Sequence, residues 1–278
     1  MTALCCEPWL LPADVHKVLT DIVEAHAEGG AREEAQHALA KSMPANPGKR
    51  QFTLQGNTAI IPVQGVIGRK FSDMLYDSGV TSSDILERMV RAAGDDDEVD
   101  SLMLVFDSPG GMAMGTPEVA AAIKSAGQKK YTVAYGDGLI GSAAYWMASQ
   151  CDLIYAMTSA DIGSIGAYMA ILDRSRQMAM EGVKLNLFKS GKHKGMGLPG
   201  TELTREQEDM LQARINKMGA DFKAAVRAGR GRNISDDVMQ GQSFGAVEAK
   251  ENGLIDEITS YNTALEIAAG LGKSKKRR

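Results

Sequence analysis

Leu102-Met103-Leu104-Val105-Phe106-Asp107-Ser108-Pro109-Gly110-Gly111 decides the fold of this chain. Five apolar residues run without a break and stop at turn-forming residues. A run this short and this apolar predicts a strand buried on both faces. Such strands belong to parallel sheets with helices on each side. Sites in these folds gather at the carboxyl ends of the strands, which is where Asp107 to Gly111 fall.

The flanking sequence repeats the alternation. Thr58 to Val63, Thr132 to Tyr135 and Leu153 to Met157 predict further strands, with Pro62 marking an edge or a strand end. Gly166 to Ile171 and Val183 to Phe188 predict two more, with a helix between them. Thr81 to Arg91 predicts a helix. So does the segment from Thr116, with Thr116 as cap, Pro117 and Glu118 in the first turn and Gly127 as terminator. A long helix is predicted from Thr204, with Gln207 completing a capping box and Leu211, Ile215, Met218, Phe222 and Val226 on one core-facing side. Strand–helix alternation predicts an α/β fold.

Ahead of this lies a helical extension over 13–41 and a Pro/Gly linker, Ser42 to Gly48. Three segments are expected: extension and linker over 1–50, the main domain over 51–262, and a helix end with a basic, disordered tail over 263–278.

Composition limits the function classes. The 278 residues are 44% hydrophobic and 24% charged, with a net charge of −4. No global basic bias and no nucleic-acid site stand out. Three cysteines without framework or zinc spacing predict reduced thiols, and the acidic run Asp95 to Glu98 lacks the spacing of a calcium loop. No metal or cofactor is expected. No run approaches the roughly 20 apolar residues of a membrane span. The first residues lack a basic region and contain Pro8 and Pro12, so no leader or membrane anchor is expected.

The chemistry concentrates on a serine. Ser142 lies in Gly138-Leu139-Ile140-Gly141-Ser142-Ala143-Ala144, at the expected start of a helix. There the helix dipole and unpaired N–H groups favour developing negative charge. The plain alternative is an ordinary N-cap. Gly110 and Gly111 can offer backbone N–H donors to a tetrahedral intermediate without side-chain obstruction. The plain alternative is a Pro-Gly turn. A serine hydroxyl needs a base. Lys189, Lys192 and Lys194 are candidates, and so is His193, with Asp107 or Asp137 completing a triad. Spacing alone leaves these open. A lysine base must be neutral, which calls for an apolar enclosure in the folded or assembled state. Ser164, in Gly163-Ser164-Ile165-Gly166, can orient an amine or simply form a turn. Met112, Ala113 and Met114, with Tyr145 and Trp146, are the expected walls of a pocket for small or apolar side chains.

Taken together, Asp107 to Gly111, Gly141 to Ala144, Gly163 to Gly166 and Lys189 to Lys194 resemble the signal peptide peptidase A family of Ser/Lys peptidases, in order and in separation. Gly229 to Arg232, Gly241 to Phe244 and Ala249 to Glu257 resemble its C-terminal segment, so the likeness covers about residues 56–260. The resemblance implies a ClpP/crotonase-like fold and a homo-oligomer. It implies Ser142 as nucleophile, Lys194 as general base, Ser164 as its orienting partner, and Gly110 or Gly111 as oxyanion donor. Without an anchor, the chain is closer to the soluble phage and prophage branch, whose members mature phage heads. The implied substrates are capsid or scaffold proteins, in the cytoplasm of a bacterial host or inside the procapsid. The alternatives are a housekeeping peptidase, a non-proteolytic crotonase-type acyl-CoA enzyme, and a structural head component with a vestigial site.

Overall fold

A computed structural model describes residues 9–10, 52–69, 80–231 and 234–276. The helical extension expected over 13–41, with His16, His26 and His37, lies outside them.

In chain order the elements are β1 (Trp9–Leu10), β2 (Thr53–Gln55), β3 (Thr58–Gly68), β4 (Thr81–Ser82), α1 (Ser83–Asp95), β5 (Ser101–Met112), α2 (Thr116–Lys129), β6 (Tyr131–Gly141), α3 (Ala143–Ala148), β7 (Leu153–Ala156) and β8 (Asp161–Gly163). After these come α4 (Ser175–Met180), α5 (Arg205–Arg230), a 3-10 turn, β9 (Ser243–Gly245), α6 (Ala246–Glu251), β10 (Glu257–Ile258) and α7 (Tyr261–Lys276). The fold is the expected mixed α/β.

The main sheet runs β10-β7-β6-β5-β3-β2, parallel except for β2. β5 lies inside it and is covered on both sides. Leu102, Leu104 and Phe106 point to one face, with α1, α2 and α3 residues such as Leu86, Ile123 and Tyr145. Met103 points to the other, with Val133, Tyr135 and Ala264 and Ala268 of α7. The period-two alternation of a strand thus feeds two separate apolar layers. Pro62 is exposed, on the stretch of β3 that lies past its pairing with β2 and before its pairing with β4. A residue without an N–H suits that local edge.

Two helix starts obey capping chemistry. The Ser82 hydroxyl accepts from the Ile85 N–H, and Thr204 with Gln207 forms the expected capping box. Three local expectations are corrected. Gly115, not Thr116, is the N-cap of α2; the Thr116 hydroxyl instead donates to the Met112 carbonyl at 2.9 Å. Gly127 does not end that helix, which runs two residues further. At the C-terminus α7 continues to Lys276, because Lys275 donates to the Gly127 and Lys130 carbonyls and lies over the Tyr131 ring.

The strands expected at 166–171 and 183–188 are absent. Val183, Leu185, Leu187 and Phe188 are exposed, Phe188 at 93%. Their alternation is real, but among the described residues no strand lies beside them to accept their backbone. Residues 166–203 form an arm around the short helix α4. The apolar stripe of α5 is likewise only half used. Phe222 and Val226 are fully buried, whereas Leu211, Ile215 and Met218 stay partly exposed.

Candidate active site

The site begins with a bulge. β5 and β6 pair in register from Ser101↔Tyr131 to Phe106↔Gly136, then resume at Ser108↔Ile140. Between those pairs Asp107 stands alone against residues 137–139. The Asp107 carboxylate accepts the Leu139 N–H at 3.2 Å. It also lies where a side chain on Gly138 would be, with a Cβ there only 2.5 Å from its oxygen. A bulge bends its strand and re-aims the residues beyond it. The residue re-aimed here is Ser142.

Ser142 is 1% exposed and has φ 52° and ψ −114°. It occupies the N-cap of α3, but its side chain makes no capping hydrogen bond, which removes the ordinary N-cap reading. Its backbone N–H donates to the Gly163 carbonyl at 2.7 Å. β6 and β8 are parallel here, with Gly141 paired to Gly163, so Ser142 and Ser164 stand just past the ends of neighbouring strands. The Ser164 N–H donates to the Gln242 carbonyl at 2.8 Å, and its φ is 53°. Among the described residues, these two serines are the only non-glycine positions with positive φ. Strained backbone of this kind costs about 1–3 kcal/mol and persists only where its surroundings over-determine it.

Gly110 and Gly111 lie at the same strand end. A Cβ on Gly111 would stand 1.8 Å from the Ile67 carbonyl oxygen, so only glycine fits. The Gly110 N–H reaches the Ser108 hydroxyl at 3.2 Å, and that buried hydroxyl donates to the Gly65 carbonyl at 2.6 Å. Ser108 therefore holds the loop, a role the sequence did not reveal. Ala143 was also missed: as the first residue of α3, its N–H has no intrahelical acceptor and comes directly after Ser142.

Lys194 is placed differently. It is exposed on the arm, and among the described residues no hydrogen bond or ion pair joins it to Ser142. Lys192 pairs with Glu206 at 2.5 Å, Lys189 donates to the Lys192 carbonyl, and His193 Nε2 stands 3.7 Å from Glu206. The arm is thereby pinned to the first turn of α5. Asp107 is committed to the bulge and His193 to the Glu206 side, so the described residues contain no Ser–His–Asp chain.

Two expected pocket walls are core instead. Tyr145 is fully buried and donates to the Leu254 carbonyl at 2.8 Å; Trp146 stacks on Phe222 with centroids 4.8 Å apart. Both anchor α3 from behind. Ala113 and Met114 do line a cleft of about 220 Å³, with Pro117, Glu118, Arg214 and Met218. Among the described residues no His, Cys, Asp and Glu cluster could hold a metal ion, and no helix is long and apolar enough to cross a membrane.

A strained serine at a strand-to-helix turn, beside a glycine loop at parallel strand ends, is the layout of a hydrolase site. Residues 124–275, more than half of the chain, match Peptidase family S49, and the chain belongs to that family. The matched span contains Ser142, Ser164 and Lys194 and begins after Gly111. The chain is 29% identical over 89% of its length to the head-tail preconnector protein of Enterobacteria phage P21. It is 26% identical over 94% of its length to the capsid assembly protease C of Escherichia phage lambda. It is 27% identical over 79% of its length to protease 4 of Haemophilus influenzae. It spans 49%, 60% and 35% of those proteins respectively. Among solved structures, a mutant ClpP1 from Listeria monocytogenes aligns at TM-score 0.46 and 14% identity, over 74% of this chain and 94% of that one.

Proposed function

We propose that this chain is a serine endopeptidase with a Ser142/Lys194 dyad that cleaves capsid or scaffold proteins during phage head maturation. The observation that carries the reading is the strained Ser142, freed from capping and locked beside Ser164. Ser142 Oγ attacks the scissile carbonyl carbon while neutral Lys194 Nζ takes its proton. The carbonyl oxygen becomes an oxyanion held by backbone N–H groups. Gly111 is the favoured donor, with Ala143 beside it, because the Gly110 N–H is turned to Ser108. The tetrahedral intermediate collapses, the C–N bond breaks, and the lysine ammonium returns its proton to the leaving amine. Water then attacks the acyl-enzyme with the same base, and the acid product leaves. Ser164 orients the amine. The chemistry needs no metal or cofactor.

The exposed Lys194 calls for assembly. An apolar enclosure is what keeps a lysine neutral. The arm that carries it displays Met180 and Phe188, and the half-used face of α5 lies next to it in sequence. A homo-oligomer that covers these surfaces would enclose the base. The names of the phage relatives, a head-tail preconnector and a capsid assembly protease, support head proteins as substrates, which would place the action in the host cytoplasm or the procapsid. The likeness to protease 4, whose name points to no phage head, supports the second reading, a housekeeping peptidase.

Co-expression with phage head proteins tests the proposal, with mass spectrometry of the products. The wild type should cleave them, and Ser142→Ala and Lys194→Ala should not. Cleavage that persists in either variant overturns the dyad. A wild type that cleaves general peptides but no head protein favours the housekeeping reading.

A further inference from the structure

One short strand lies at the end of β5, beside the Ser142 turn. β1, Trp9–Leu10, pairs antiparallel with the end of β5, Leu10 with Gly111 and Trp9 with Met112. On its other edge Gly111 pairs with Ile67 of β3. A strand has two edges, so β1 takes the edge that β6 holds as far as Ser108↔Ile140. β6 gives up that edge because the chain turns at Ser142 into α3. β1 therefore fills the place the turn vacates, one register step beyond Gly110 and next to the nucleophile turn.

That place has a chemical use. An extended peptide binds an open sheet edge through main-chain hydrogen bonds, whatever its sequence. A peptide bond presented to Ser142 with its carbonyl near the Gly111 N–H would run along this same stretch of β5. We infer that the β5 edge at Gly111–Met112 is the docking track for an extended protein substrate, and that β1, Trp9–Leu10 of this same chain, occupies it as a competing strand. The inference rests on the reading of Ser142 as nucleophile. Its occupant is fixed by the observed backbone pairing.

Competition sets the size of the effect. A site open one-tenth of the time binds about tenfold more weakly than the same site always open. Removing the occupant should lower the apparent KM for an extended peptide about tenfold and leave kcat unchanged, because no catalytic group is touched.

The test uses amide hydrogen exchange over residues 110–113, read by mass spectrometry. It compares the full chain, a Trp9→Pro/Leu10→Pro double variant, and a chain lacking residues 1–12. Proline cannot donate to a ladder, so two in succession remove the β1 donors and weaken the pairing, and the chain lacking residues 1–12 also removes the β1 carbonyls that accept from β5. Exchange should be at least tenfold faster in both altered chains, and a synthetic peptide of residues 5–14 should restore protection. Retained thermal unfolding of the double variant shows that the fold survives. Equal exchange in all three chains overturns the pairing. Faster exchange with an unchanged KM overturns the competition. Protection that rises with protein concentration overturns occupation within one chain. Repeating the exchange in Ser142→Ala separates the two readings. If that variant still cleaves, the dyad fails, while the exchange result stands by itself.

Discussion

The backbone N–H of Ser142 donates to the Gly163 carbonyl across 2.7 Å. This bond ties the turn after β6 to the end of β8. With the bulge at Asp107 it over-determines the Ser142 backbone, which is how a serine keeps a φ of 52°. The strain and the proposed nucleophile therefore coincide on one residue, and they can be separated by substitution.

Ser142→Gly should abolish peptidase activity and make the protein more stable. Glycine enters this backbone region without the side-chain penalty, worth about 1–3 kcal/mol, and gives back about 0.5–1 kcal/mol in unfolded-state entropy. The net gain should raise Tm by a few degrees on a calorimetric scan, about 2–4 °C per kcal/mol for a domain of this size. Ser142→Ala should abolish activity without that gain. A lower Tm for the glycine variant would mean that the Ser142 backbone carries no strain.

The sheet was legible from sequence because its strands are buried on both faces, and Leu102 to Phe106 shows this as an unbroken apolar run. The serine turn was legible for a similar local reason: Gly138, Gly141 and two alanines announce close backbone approach. What brings Asp107 against Leu139, or Ser108 against Gly65, is pairing between strands distant in sequence, and no local pattern encodes it. Tyr145 and Trp146 misled because nearness in sequence to Ser142 does not say which side of α3 a ring occupies. The arm misled in the opposite way. Val183 to Phe188 alternates as a strand does, yet alternation describes a preference for a partner, and the described residues supply none. Lys194 rides on that arm, so its placement was the least legible part of the site.

Arg230 should matter more for stability than for catalysis. Its guanidinium is buried at the end of α5 and meets Asp256 at 2.8 Å, while the other Asp256 oxygen accepts the Ile154 N–H. The pair fastens the long helix to β7 and to the segment before β10. Removing one member of a buried pair strands the other and costs about 3–5 kcal/mol. Arg230→Ala should lower the denaturation midpoint accordingly, with kcat near wild type at temperatures where the variant stays folded. A loss under about 1 kcal/mol in urea titration, the scale of an exposed pair, would show that the pair is replaceable.

Cys151 should be silent to thiol reagents. It is fully enclosed, and burial, helped by the Asp152 charge, pushes its thiol up. Thiolate is the reactive form, so alkylation must wait for opening of the structure. In a Cys5→Ser/Cys6→Ser background, iodoacetamide at pH 8 should label Cys151 only in denaturant. Rapid labelling of the native protein would contradict the burial.

The contact that pins the arm should fail in acid. The Lys192 hydrogen bond, then the charges of Lys192 and His193, hold the Glu206 carboxyl below the usual carboxylate range, against a desolvation effect of opposite sign. A folded value below the unfolded one means that the stabilisation is complete above the unfolded pKa, about 4.3 for glutamate. It is lost as pH falls through the folded value. Amide-exchange protection over residues 191–194, corrected for intrinsic rates, should therefore be level from pH 8 to 5 and fall below about 4. Glu206→Gln should show the acid behaviour already at pH 7. Both side chains are exposed, so added salt should narrow the gap between wild type and variant. If Glu206→Gln matches wild type at pH 7 and low salt, the ion pair does not hold the arm. The position of Lys194 would then have to be set by other contacts of the arm.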